Sequence, residues 1–170
     1  MPKLKPEEEV KNPQVNTANK DNALKMCAAF IAKFEGCKLE SYKCPAGIWT
    51  IGYGHTDKVY DGMRITQEQA EVFLEMDVIF FYKNVNELIK NVCNQNQITA
   101  LTSFSFNVGM DNFKKSTLLK VIKKTPNNFT AIRKEFMRWV YADGKVLNGL
   151  KTRRSAEADL FQGVSTGASS

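Results

Sequence analysis

The sequence predicts an α+β fold, mostly helical, with one small sheet near the N-terminus. Three observations carry this. Several segments beyond residue 23 repeat apolar residues at helical spacing, between recognisable cap and stop residues. One stretch, residues 39–60, alternates and gathers β-branched and aromatic side chains between turn formers. A sheet that small does not bury both its faces alone, so two lobes with a cleft between them are expected.

The elements follow in order. Ala23 to Phe34 reads as a helix, with Leu24, Cys27, Ala28 and Ile31 on one stripe and Asp21 or Asn22 as its cap. Leu39 to Tyr60 reads as two or three strands, and Asp61-Gly62 as a turn. Thr66 and Gln69 form a capping box for a long helix from about Gln67 to about Lys90, striped by Ala70, Phe73, Leu74, Asp77, Val78 and Phe81. Ile98 to Asn107 is apolar on most sides, through Leu101, Phe104 and Phe106, and is expected at the centre of the core, with Gly109 as its stop. A short helix starts at Ser116 and ends before Thr125-Pro126. Asn127 or Asn128 caps a helix reaching about Tyr141, and Asp143-Gly144 is a turn. Leu150 to Phe161 is the last helix, stopped by Gly163. The expected organisation is a flexible polar leader over residues 1–22 and one domain over 23–163. That domain divides into a lobe carrying the sheet (23–66) and a helical lobe (67–163), followed by a frayed tail over 164–170.

A chain of 170 residues is enough for one domain with a proper core. Its net charge of +6 suits an anionic partner. No helix-turn-helix, zinc knuckle or basic-aromatic stripe points to nucleic acid, so an anionic polymer of another kind fits the charge equally well. No run of about 18 apolar residues predicts a transmembrane helix, and Met1 to Asp21 has no apolar segment of a secretory signal. The four cysteines, Cys27, Cys37, Cys44 and Cys93, lack zinc-ligand spacing, and neither a metal nor an organic cofactor is implied.

The most informative stretch runs from Phe34-Glu35-Gly36-Cys37 to Gly47-Ile48-Trp49-Thr50-Ile51-Gly52-Tyr53-Gly54-His55-Thr56. An apolar helical run stops at one carboxylate, Glu35. A turn bearing Cys44 follows, then a strand holding Thr50. Cleavage of a glycoside needs a similar layout, with a proton donor on one side of the sugar and a second polar group on the other. Phe30, Ile31 and Phe34 before Glu35 predict an apolar setting, which favours the protonated form a general acid needs. Cys44 lies between Lys43 and Pro45, where a nearby cation favours the thiolate. Such a thiolate either deprotonates a water or attacks the anomeric carbon.

The segment resembles the phage-type lysozymes. Glu35, the residue nine positions on and Thr50 six further on match that family's Glu, Asp, Thr spacing, with Cys44 in the Asp slot, and a sub-group of phage endolysins is similar to the chain there too. The blocks ALTSFSFNVG…STLL and RWVYADGKVLNGLKTRRSAEADLF are similar to the family's later segments. The resemblance implies a lysozyme-like, two-lobed fold and a single-copy endolysin that hydrolyses the β-1,4 bond between N-acetylmuramic acid and N-acetylglucosamine in peptidoglycan. It implies Glu35, Cys44 and Thr50 as catalytic residues, with Phe106, Asn107 and Ser116, and more weakly Thr56, along the substrate cleft. It makes His55 and Asp77 a structural ion pair. A lytic transglycosylase and a non-catalytic peptidoglycan-binding relative are the alternatives. The enzyme would wait in the cytoplasm of the infected host until another protein releases it to the wall in the periplasm. Cys37 and Cys44 are candidates for a regulatory disulfide, with Cys27 as exchange partner and four unlinked thiols as the plain alternative. Arg138-Trp139 and Arg153-Arg154 read as helix packing and surface charge, in a structural guanidinium network.

Overall fold

The computed structural model describes residues 13–164. Seven helices and two small hairpins follow one another in this span: α1 (Pro13–Ala32), β1 (Lys38–Lys43), β2 (Trp49–Gly52), α2 (Gln67–Ile89), α3 (Gln95–Val108), α4 (Met110–Lys115), α5 (Thr117–Lys124), α6 (Phe129–Phe136), β3 (Tyr141–Ala142), β4 (Lys145–Val146) and α7 (Asn148–Gln162).

The first helix is longer than the apolar stripe predicts. It starts at Pro13, so the second half of the stretch read as a leader is helical, and neither Asp21 nor Asn22 is a cap. Pro suits a first helical turn because its missing N–H has no partner there in any case. No Gly or Pro interrupts residues 14–35, so nothing stops the helix before Ala32. Residues 1–12 and 165–170, which hold the rest of the expected leader and tail, lie outside the described residues.

The expected sheet is a two-stranded antiparallel hairpin. Lys38 pairs with Gly52 and Lys43 with Trp49, with an irregularity between Lys38 and Tyr42. Residues 63–65 run alongside, through Ser41 N–H to Met63 O (2.9 Å) and Ile65 N–H to Leu39 O (3.0 Å). Gly52 has φ +62°, a conformation that favours glycine, and it sits in contact with Ala70 of α2, whose Cβ would be 3.4 Å from a Cβ placed there.

The capping box opens α2 as expected: Thr66 Oγ1 accepts from Gln69 N–H, and Gln69 Oε1 accepts from Thr66 N–H. Asn94 and Gln97 repeat the device for α3. Ser116 and Asn128 cap α5 and α6. The helix expected to reach Tyr141 ends at Phe136 instead, and residues 141–146 form a hairpin. Asp143 and Gly144, both at positive φ (50° and 74°), make its two-residue turn.

Two apolar clusters fill the molecule. The smaller holds Cys27, Ala28, Ile31, Leu74 and Val78, where α1 meets α2. The larger surrounds α3, whose residues Gln97 to Ser105 are all buried. Phe104 is at its centre, with ring centroids of Phe113, Phe136 and Trp139 at 6.0, 5.5 and 5.5 Å. Such edge-on aromatic pairs add to the area they bury.

Candidate active site

Glu35 stands in the turn that ends α1, its N–H bonded to Ile31 O at 3.2 Å. The partial burial expected for it is present, and the structure adds an ion pair that the sequence did not predict. Its side chain is 28% exposed, and Oε1 accepts from Arg153 Nη1 at 2.7 Å. The physical reason is tertiary: α7 brings a buried guanidinium to the end of α1, and a carboxylate there satisfies it.

Arg153 is not a surface charge, nor is Arg154. They are 4% and 0% exposed. Arg153 also donates through Nε to Glu157 Oε1 (3.2 Å) and through Nη2 to Ser103 O (3.2 Å). Arg154 donates to Glu157 Oε2 (2.6 Å), to Trp139 O (3.0 Å) and to Asn107 Oδ1. Ser103 Oγ donates to Glu157 Oε1 at 2.8 Å. Burial pushes the Glu157 carboxyl upward, and Arg154, Ser103 and Arg153 pull it back. The four charges alternate in sign and sum to zero, so Glu35 is oriented without a surplus cation beside it. The expected guanidinium network is present. What the sequence reading missed is that it reaches Glu35, 118 residues away from Arg153. The spacing Arg153-Arg154-x-x-Glu157, three and four residues apart on one helix face, was the available signal.

Beside Glu35 an open groove of about 690 Å³ is lined by Phe34, Asn107, Leu147, Gly149 and Arg153, among others. Among the described residues lining it, Glu35 is the one acid.

Cys44 and Thr50 belong to the β1–β2 hairpin and do not line this groove. Cys44 starts the connecting turn, which is closed by Cys44 N–H to Ile48 O (3.0 Å) and Gly47 N–H to Cys44 O (2.8 Å). Its thiol is held below the usual range by hydrogen bonds with the backbone of Ile48 and Ala46, and less by the Thr50 hydroxyl. Thr50 is buried, and its Oγ1 donates to Ile48 O at 3.0 Å.

The remaining expected residues divide. Asn107 lines the groove with Glu35. Phe106 packs on Phe81, centroids 5.3 Å apart, and against the smaller cluster. Ser116 is buried as a helix cap, donating to Phe113 O (2.7 Å) and accepting from Leu119 N–H (3.1 Å). Neither lines the groove, and the reason is the same for both: their side chains are committed to packing and capping. Thr56 is exposed beyond the hairpin. His55 Nδ1 lies 3.0 and 2.9 Å from the two oxygens of Asp77, and its ring stacks on Phe73.

All four cysteines are free. Cys37 and Cys44 flank β1 just beyond its two ends, Lys38 and Lys43, which stand opposite Gly52 and Trp49. Three strand residues separate those partners, on the order of 10 Å. A disulfide needs Cα atoms within about 7 Å. The proposed Cys37–Cys44 bond therefore does not fit this fold unless β1 leaves its sheet. Cys37 instead points at Gln67 Oε1 (3.8 Å), and Gln67 also donates to Tyr53 Oη (2.9 Å), tying the start of α2 to the hairpin.

Residues 32–157 match the profile of the phage lysozyme family. The chain belongs to the phage lysozyme family. It is 45% identical over 136 residues to an endolysin of Acyrthosiphon pisum secondary endosymbiont phage 1, covering 78% of this chain and 92% of that one. It is 40% identical over 134 residues to the endolysin of Bacillus phage B103, covering 77% of this chain but only 50% of that longer protein. Among solved structures, the endolysin from Escherichia coli O157:H7 phage FAHEc1 superposes with a TM-score of 0.70 at 38% identity, covering 80% of this chain and 90% of that one. The mostly helical fold with small sheets is thus that of a phage lysozyme, and the chain is a glycoside hydrolase of the lysozyme class. Among the described residues no helix is long and apolar enough to cross a membrane, and no His, Cys, Asp or Glu cluster is placed to hold a metal ion.

Proposed function

We propose that this phage lysozyme is an endolysin that cleaves the β-1,4 bond between N-acetylmuramic acid and N-acetylglucosamine in peptidoglycan, with Glu35 as the acid. The observation that carries the reading is Glu35 itself, the carboxylate of an open groove, fixed in place by Arg153. A glycan strand in the groove receives a proton from Glu35 on its leaving oxygen as the bond to the anomeric carbon breaks. Cys44, with its lowered thiol pKa, and the buried Thr50 stand on the β1–β2 hairpin outside this groove, and where the glycan reaches that hairpin Cys44 takes the proton of the water that adds to that carbon and Thr50 helps fix that water. Asn107 contacts the sugar from the α3 side. One copy of the chain holds the whole site. The net charge of +6 favours approach to an anionic wall over a neutral one, and nucleic acid is not its substrate. The enzyme meets the wall after leaving the cytoplasm of the infected host.

The test is turbidity loss of chloroform-treated Gram-negative cells, followed by mass analysis of the released fragments. Clearing with ordinary reducing ends supports hydrolysis. Anhydro-muramic products, with full rate in Cys44→Ala, make the chain a transglycosylase instead. Binding to wall material without clearing makes it a non-catalytic relative.

A further inference from the structure

Asn107 faces two hollows at once. It lines the groove beside Glu35 and also a second hollow of about 530 Å³, which shares Leu147 and Leu150 with that groove and continues toward Trp139 and Tyr141. The residue is exposed, yet one side of its carboxamide is anchored in the core. Arg154, wholly buried, donates through Nη2 to Asn107 Oδ1, through Nη1 to Glu157 Oε2 and through Nε to Trp139 O.

A guanidinium has donors and no acceptor, so the carboxamide atom turned toward it is the carbonyl oxygen. A flipped amide would set donor against donor. The amide NH₂ is therefore the group left for the groove, and it donates to no other group among the described residues. A free surface Asn offers a donor or an acceptor by turning its amide, whereas this one offers donors alone. One buried carboxylate stands behind both polar groups of the groove. Glu157 Oε1 accepts from Arg153, which holds Glu35, and Glu157 Oε2 accepts from Arg154, which holds Asn107. The acid and the donor thus keep a set spacing.

We infer that Asn107 is a specificity-determining residue, whose amide NH₂ donates to the acetamido carbonyl oxygen of the sugar beside Glu35. This rests on the reading of the chain as an enzyme that cleaves peptidoglycan glycan. Both sugars of that polymer carry an acetamido group on the carbon next to the anomeric one, close to the bond that Glu35 protonates. A carbonyl oxygen only accepts, which suits a side chain that only donates. The peptide amides on the lactyl group offer the same chemistry from farther out. Asn107 is exposed, so water replaces a lost acceptor and the contact is worth about tenfold in affinity, not more.

Turbidity kinetics on purified peptidoglycan test this, with the wall intact, N-deacetylated, or freed of its peptides by an amidase. Asn107→Asp keeps an oxygen for Arg154 and removes the NH₂. It should melt close to the parent, while Asn107→Ala, which strands a buried guanidinium, should melt lower. On intact wall Asn107→Asp should raise KM about tenfold with kcat within about twofold, the mark of a contact made equally in ground and transition states. On N-deacetylated wall that deficit should vanish or invert, because a carboxylate accepts from the free amine that an NH₂ opposes. Re-acetylating the same material should bring the deficit back, and removing the peptides should leave it in place. Equal KM for parent and variant on intact wall overturns the inference, as does a fall in kcat alone. A deficit that survives deacetylation, or one that disappears with the peptides, overturns it as well. A parent chain that clears no form of the wall brings down the proposed function and this inference together, whereas a parent that clears intact wall and is matched by Asn107→Asp brings down the inference alone.

Discussion

Arg153 Nη1 lies 2.7 Å from Glu35 Oε1, joining the last helix to the end of the first. The acid therefore takes its orientation from a residue in the opposite half of the sequence. Arg153→Met should destabilise the fold by about 3 kcal/mol, because it removes one partner from a buried charge network. It should also lower kcat. Arg153→Lys keeps the charge but not the planar fork, so it should recover stability more fully than rate. Urea unfolding alongside turbidity kinetics separates the two effects.

Glu35→Gln should cost about 10²–10⁴-fold in rate, the usual worth of a general acid, with the fold retained. Clearing of cell-wall suspensions by a variant with an unchanged thermal melt checks this. Activity near that of the parent would remove Glu35 from the chemistry.

Cys44 gives the rate a pH signature. Its thiol is held below the usual range, so the thiolate forms at lower pH than in a free cysteine. Activity that depends on the thiolate rises with pH through that pKa and is lost as pH falls below it. Cys44→Asp should move this limb by several pH units toward acid, since a free carboxyl titrates near about 3.9. A pH profile of kcat/KM for both proteins reads the shift.

The four thiols should differ in reactivity. Cys37 is exposed and Cys44 half-buried, while Cys27 is fully buried. Iodoacetamide at pH 8 should label Cys37 and Cys44 in the native chain and reach Cys27 only in denaturant. In a Cys37→Ser background, labelling of Cys44 should track loss of activity, as peptide mass analysis would show.

Alkaline pH should weaken the fold. Burial pushes the Cys93 thiol up to about 11 and raises that of Cys27. Both thiols ionise near about 8.5 in the unfolded chain. The unfolded state then binds fewer protons at these two thiols, so their contribution to stability is flat below about pH 8.5 and falls from there toward pH 11. Cys93→Ala should flatten that decline in thermal melts recorded at pH 8 and pH 10.

Local chemistry made much of the fold legible. The Thr66 box, the Ser116 and Asn128 caps and the Gly109 and Gly163 stops each act within a few residues of themselves, and the structure uses all of them. The N-terminal half of α1 was not legible, because a polar helix has no apolar stripe to betray it. The hairpin at 141–146 was missed because two exposed residues per strand leave no alternation to read. In the site, Glu35 was legible as the carboxylate on which the apolar run of α1 ends, while Thr50, expected beside it, does not line the groove. Arg153 was not, because its partner is fixed by the packing of α7 beside α3 rather than by any neighbour in sequence.

The two apolar clusters differ threefold in membership, and Glu35 hangs from the helix that the lesser one anchors. Regions with fewer packed side chains open first on warming. Heat would therefore pull Glu35 out of alignment while most of the helical signal persists. The enzyme would fall silent before it melts.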